Sequence, residues 1–408
     1  MYQKILEKSN RLILWTDTSF VRDLFYKIDW DFRLIWIVGQ RWVWKTTLLL
    51  QYLKINKLKN SIYFSADNIF LIEKWLYNFV EELYLQEGIT NFFIDEIHKY
   101  HNWNQELKNL YDDFPKIKIV FSGSSSIDLI KWKYDLSRRV LLYKMQWFSF
   151  REYVNKEKNI NLKSYSLQEI LENNKKITED IYKILWDEIL VLFKKYLKSW
   201  YYPFSFESQK IESFYSKLLG VLDKLVYEDI SNFYSLDSMN LEKIRKIIIF
   251  FSLAKPWELS INSIKNKLGI SFDTASNYLQ ILNDVGILKS IFVEWNISKS
   301  IRKAKKIYID NSNIIYSISN EIWLNVEIWT IREIFFVNQF EKNLFYSDIW
   351  DFCFNFWLEK YYFEIWWKNK KRKQLKQEKN SFVVADDIIF WTDKKISLWL
   401  FWFLERNN

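Results

Sequence analysis

The sequence predicts an α/β fold built on a parallel sheet, and three stretches predict it. The first is an apolar run, Leu34-Ile35-Trp36-Ile37-Val38, then Gly39-Gln40-Arg41-Trp42-Val43-Trp44-Lys45-Thr46-Thr47, then Leu48-Leu49-Leu50. The second is Phe92-Phe93-Ile94 followed by Asp95-Glu96; the third, residues 118–121, runs into Ser122-Gly123-Ser124-Ser125-Ser126. Buried strands separated by helical stretches are joined by crossovers, which makes them parallel neighbours with helices on the sheet faces.

The first stretch has the layout of a phosphate-binding loop, G-x-x-x-x-G-K-[ST], between a strand and a helix expected over 46–53. Gly39, Lys45 and Thr46 fall at the required spacing, and Gln40, Arg41, Trp42, Val43, Trp44 and Thr47 complete the nucleotide-binding set. Trp44 stands where the second glycine belongs. Backbone N–H groups must wrap a phosphate there, and an indole would compete for the phosphate's volume.

Composition offers a reason. Glycine makes up about 7% of an ordinary soluble chain, so roughly 29 are expected in this length. The chain has 6, with 22 tryptophans. Some bacterial lineages read the codon UGA as glycine and others as tryptophan. A gene translated with the wrong table would carry tryptophan for glycine throughout, and that is the expectation for most tryptophans here. Trp42 and Trp44 lie in the loop, Trp200 in a turn before Tyr201-Tyr202-Pro203, and Trp366-Trp367 between a strand and a lysine-rich stretch. Glycine commonly punctuates such places. Trp103 and Trp399 read as ordinary tryptophans.

The 408 residues suffice for two or three domains. Hydrophobic residues at 49% and charged residues at 27% exclude a disordered chain. The net charge of +9 permits contact with nucleic acid without requiring it. A single cysteine, Cys353, excludes an internal disulfide, and with only His98 and His101 there is no structural zinc set. These features point to a reducing, cytoplasmic setting. No apolar run has the length of a membrane span.

Residues 1–33 are expected to place an amphipathic helix near 20–28, and a second strand follows at 61–65. Asp95-Glu96, at the carboxyl end of a buried strand some 50 residues past Lys45, is the arrangement that holds Mg²⁺ and orients an attacking water. Asp95 and Thr46 are assigned to the metal and Glu96 to the water. Ser122 or Ser124, at the end of the next strand, is placed to sense the terminal phosphate or simply to make a turn. His98 is expected to be structural.

Residues 93–100, with Trp103, then 121–125 and Leu136-Ser137-Arg138-Arg139, resemble the AAA-type ATPases of bacteria and archaea that carry a C-terminal domain of unknown function. The resemblance extends over nearly the whole chain. It implies the same roles for Lys45, Thr46, Asp95, Glu96 and Ser122, with ATP as ligand and oligomers as an open option. Arg138 and Arg139 either stabilise phosphoryl transfer or pair with surface carboxylates. The absence of a guanine-type Asn-Lys-x-Asp signature favours adenine.

The P-loop unit is expected over 1–155, a helical lid or connector over 156–240, a winged helix over 241–300 and an α+β unit over 301–408. The expected recognition helix, 271–284, contains no Lys or Arg and two Asp. DNA reading needs basic or amide groups, so an interaction or lid role is favoured for the unit, with the amides Asn277 and Gln280 keeping the DNA alternative open. The last unit resembles the restriction-endonuclease-like domain of the same ATPases. Asp351, Glu364 and Lys368 are its candidate metal and catalytic groups, a degenerate set because Lys368 falls four residues after Glu364. The expected function is Mg²⁺-dependent ATP hydrolysis coupled to an unspecified partner. The alternatives are a nucleotide-gated nucleic-acid-binding or cleaving protein and a silent interaction scaffold.

Overall fold

The computed structural model describes residues 2–68, 71, 75–123, 136, 138–254, 260–294, 300–340, 342–356, 359–366, 380–390 and 394–405. The chain divides into two compact units near residue 147.

The first unit opens with helix α1, Tyr2–Trp15. The expected helix at 20–28 is instead a 3₁₀ turn, Asp23–Tyr26, entered through extended Arg22. The Arg22 guanidinium reaches the carbonyls of Val43, Gln146 and Trp147 at 2.9, 2.9 and 3.1 Å. Buried with those three acceptors, it fixes this segment in an open path where local periodicity alone would favour helix.

The sheet then forms from β1 (Leu34–Gly39), β2 (Ser61–Ser65), β3 (Asn91–Asp95), β4 (Lys118–Gly123) and β5 (Leu141–Met145). Its order is β2-β3-β4-β1-β5 and every pairing is parallel. All six β1 residues are buried, as expected of a strand covered on both faces. Helices α2 (Lys45–Asn56), α3 (Leu76–Glu87) and α4 (Trp103–Asp113) make the crossovers. A core of Trp36, Phe64, Phe79, Phe92, Ile94, Leu107 and Phe121 fills one face. Because β1 and β3 are parallel with only β4 between them, the residues that follow them lie at the same edge of the sheet.

In the second unit, helices α5 (Phe150–Lys158) and α6 (Leu167–Leu185) each begin with a reciprocal Ser-x-x-Glu cap, Ser149/Glu152 and Ser166/Glu169. Helices α7 (Glu188–Ser199) and α8 (Ile211–Lys224) continue the helical stretch. Next come α9 (Ser238–Leu253), α10 (Ile261–Leu268) and α11 (Phe272–Asp284), then strands β6 (Leu288–Ile291) and β7 (Lys306–Ile309) in an antiparallel pair. Two further helices, α12 (Ser312–Glu321) and α13 (Ile328–Val337), precede β8 (Leu344–Tyr346), β9 (Phe352–Phe356), β10 (Glu359–Trp366), β11 (Ser381–Ala385) and β12 (Lys395–Ser397). This sheet runs β12-β11-β10-β9-β8, parallel through β10-β11-β12 and antiparallel elsewhere. Phe336 of α13 packs against Phe352, Phe363 and Phe401. Among the described residues, no helix is long and apolar enough to cross a membrane.

Candidate nucleotide site

Gly39 ends β1 where the neighbouring strand leaves no room for a side chain. A Cβ there would sit 2.2 Å from the Met145 carbonyl oxygen. The loop that follows has left-handed backbone at Trp42 (φ 67°) and Trp44 (φ 73°), and Trp44 is the N-cap of α2. Left-handed residues set among ordinary ones turn successive N–H groups to one side and make an anion-binding concavity, completed here by a helix N-terminus. Arg22, which binds the Val43 carbonyl, ties this loop to the chain leaving β5. Nothing in the sequence around Arg22 marks that role.

The Lys45 ammonium, in the first turn of α2 and 4% exposed, donates to the carbonyls of Gly39 and Gln40 at 3.0 and 2.8 Å. It therefore lies over the mouth of the loop. Beside it, Asp95 is buried and saturated with donors. Its Oδ2 accepts from the hydroxyls of Thr46 and Tyr63, the latter at 3.0 Å. Its Oδ1 accepts from the Ser122 hydroxyl and from the Glu96 N–H, the latter at 3.1 Å. Tyr63, inside β2, was invisible to motif reasoning because an aromatic residue in a strand is the ordinary expectation there. The same environment pushes its phenol far up, first by burial and then by the Asp95 charge.

Glu96 stands at φ 53°, ψ 39°, a left-handed conformation uncommon for this residue. Its carboxyl is 3.4 Å from His98 Nε2. Burial raises its pKa; the Lys45 charge opposes that shift, and the Asp95 charge adds to it. Strained backbone of this kind collects at functional sites. The residues present suit a magnesium nucleotide: a buried ammonium at the loop, and a hydroxyl and carboxylate of the type that hold Mg²⁺ through oxygen.

The other expected residues lie apart from this group. Arg139 makes a two-pronged pair with Asp112, both bonds 2.9 Å, and Arg138 is exposed. Ser124 and Lys368 lie outside the described residues. In the second unit, Asp351 accepts the Ile365 N–H at 2.8 Å and lies 3.7 Å from the Lys306 ammonium. Lys306 is 3.3 Å from Glu333, which also accepts from the Tyr308 hydroxyl. Glu364 is half-buried on β10. Neither Lys306 nor Glu333 was marked as a site residue from the sequence, since they approach from a strand and a helix far apart in the chain.

The sheet order, the loop and the acidic strand end together have the arrangement of a P-loop domain. Residues 31–154 match the family model of the AAA domain, and residues 191–321 match that of a domain of unknown function, DUF8612. The chain is 32% identical over 285 residues to the uncharacterized protein MJ1637 of Methanocaldococcus jannaschii. That match covers 67% of this chain and 60% of the relative, so the chain spans about three-fifths of the relative's length. Among solved structures it is similar to AMPPCP-bound DnaA from Aquifex aeolicus, at 14% identity and a TM-score of 0.27, over 64% of this chain and 85% of that one. It is also similar to the S. cerevisiae Hsp104-ADP complex, at 13% identity and a TM-score of 0.28, over 70% and 39%.

Proposed function

We propose that the first unit binds ATP with Mg²⁺ and hydrolyses it. The observation that carries this reading is Asp95, at the end of β3, accepting from both Thr46 at the start of α2 and Ser122 at the end of β4, while the neighbouring Lys45 folds back over the loop onto Gly39. Lys45 and the loop amides would hold the phosphates; Thr46 and Asp95 would hold the metal. The metal supplies neutralisation of phosphate charge. Glu96 would orient the attacking water, with its carboxylate kept largely dry, and Ser122 would fix both Asp95 and the Glu96 backbone.

Residues 238–309 support the reading of a winged helix as an interaction module. Of the three amides on α11, Gln280 donates to Asp284 at 2.7 Å and Asn283 accepts from the Ser290 hydroxyl at 2.9 Å, while Asn277 is exposed. Arg302 is directed at Asp273 of the same helix. These contacts favour a protein partner over duplex DNA. In the nuclease-like unit, the ammonium of Lys306 neutralises the carboxylates that a metal would need, which favours a non-cleaving role.

Equilibrium binding of a fluorescent ATP analogue and a phosphate-release assay test the proposal on protein bearing glycine at 42 and 44. Saturable nucleotide binding and Mg²⁺-dependent release, both lost in Lys45→Ala, are expected. Binding that survives unchanged in Lys45→Ala would overturn the assignment of the loop.

A further inference from the structure

Left-handed backbone is a test of residue identity that does not depend on motif matching. Among the described residues, twelve other than glycine have positive φ: four are tryptophans and five are Asn or Asp. Asn and Asp tolerate this region through local side-chain hydrogen bonds; a bulky aromatic residue there is an outlier.

The four are Trp42, Trp44, Trp186 and Trp323. Packing of the indole is the usual offset for such strain, yet Trp42, Trp186 and Trp323 are 50%, 64% and 93% exposed. Trp323 follows the C-cap of α12, and the next N–H, that of Leu324, closes onto the Ser319 carbonyl at 3.0 Å. Gly269 does the same after α10: φ is 62°, and the Ile270 N–H reaches the Lys265 carbonyl at 3.2 Å. This is the helix-ending motif whose left-handed position is normally glycine. Trp186 ends α6 at φ 49°, ψ −145°, near a region almost confined to glycine. Trp42 and Trp44 are the two left-handed residues of the phosphate loop.

The contrast lies within the same chain. Trp399 is buried and its indole N–H donates to the Ile388 carbonyl at 3.0 Å; Trp103 is buried against Trp36 and Phe121. These two have packing that uses an indole. Trp200, at φ −114°, and Trp366, extended in β10, have no left-handed backbone to argue from.

We infer that positions 42, 44, 186 and 323 are glycine in the protein its source cell makes, through UGA codons read as glycine, while 103 and 399 are tryptophan. Fragment mass spectrometry of the protein isolated from its source tests this. Glycine at all four positions with tryptophan at 399 is expected; tryptophan at position 323 or 186 would overturn it. A second measurement needs only recombinant chain: Trp323→Gly and Trp186→Gly should each raise the thermal midpoint by a few degrees. A fall in both would show that the indoles stabilise the fold and would overturn the inference.

A separate observation concerns Tyr63. Its hydroxyl donates to the oxygen of Asp95 that also receives Thr46, and its ring is buried in β2. We infer that Tyr63 is a positioning residue that holds Asp95 for the metal; this rests on the Mg²⁺-ATP reading above. In Tyr63→Phe the ring remains to fill its place. The Mg²⁺ concentration for half-maximal hydrolysis should rise several-fold, while ATP binding in EDTA stays as in the parent. An unchanged Mg²⁺ requirement, or equal weakening of binding in EDTA, would sink the positioning role. Failure of the parent itself to bind ATP would instead sink the underlying reading.

Discussion

The Thr46 hydroxyl, in the first turn of α2, donates to Oδ2 of Asp95 at the end of β3, across 49 residues of sequence. The bond joins the loop that would hold phosphate to the strand that would hold metal. Thr46→Ala removes the hydroxyl from both. Mg²⁺-dependent turnover should fall by about 10²-fold or more, an effect of the size seen when a preorganised donor is lost. Metal-free nucleotide binding should change little, and comparing binding in EDTA with steady-state rates checks both.

Glu96→Gln separates binding from chemistry. The amide keeps the shape of the side chain but is a poor base, so ATP should bind as before. Turnover should drop by about 10²–10⁴-fold, the range for a positioned general base. Equal single-turnover rates in parent and variant would refute the water-orienting role.

Gly39 is predicted to be intolerant of even one methyl group. Its Cβ would meet the Met145 carbonyl at 2.2 Å, a backbone atom that can move only with its whole strand. Gly39→Ala should destabilise by about 1–3 kcal/mol, as overpacking does, and should weaken nucleotide binding by displacing the loop. Chemical denaturation with and without ATP measures both effects.

Arg139 should be dispensable for turnover. Its guanidinium is occupied by Asp112 at the surface, and that bond holds the Asp112 carboxyl below the usual carboxylate range. Exposed pairs contribute little. Arg139→Ala should leave the hydrolysis rate of the isolated chain unchanged; a large loss would show that the pair opens to serve a phosphate.

Four of the five strands of the parallel sheet were legible because they carry short apolar runs with the chemistry at their ends; β5, Leu141-Leu142-Tyr143-Lys144-Met145 with alternating exposure, carries no such signal and was not read. Thr46, Asp95 and Ser122 meet, and Lys45 folds back onto Gly39, because the motifs sit where β1, β3 and β4 stop. What could not be read were contacts made by residues with no local signal. Arg22 binds carbonyls more than 100 residues away, Tyr63 looks like any strand aromatic, and Lys306 meets Glu333 only after a helix and a strand pack. The 20–28 segment was misread for the same reason: distant acceptors, not periodicity, set its path.

Lys306 and Glu333 yield the last prediction. Glu333 is buried on α13; burial raises its pKa above the usual carboxylate range, the Lys306 ammonium opposes that rise and the Asp351 charge adds to it. With the folded pKa above the unfolded one, the folded state keeps a proton that the unfolded state loses in the window between them. Stability therefore falls as pH rises through that window and is regained on acidification. Lys306→Met removes the opposing charge, raises the Glu333 pKa further and widens the window upward. The variant should lose about 3–5 kcal/mol at neutral pH, as when one partner of a buried pair is removed. It should recover part of that as pH falls toward the ordinary glutamate value of about 4.3. Adding Glu333→Gln should restore stability at neutral pH and flatten the dependence. Urea unfolding of the parent, single and double variants at two pH values measures this; a loss independent of pH would show that Lys306 acts through its cation–π contact with Phe352 and not through Glu333.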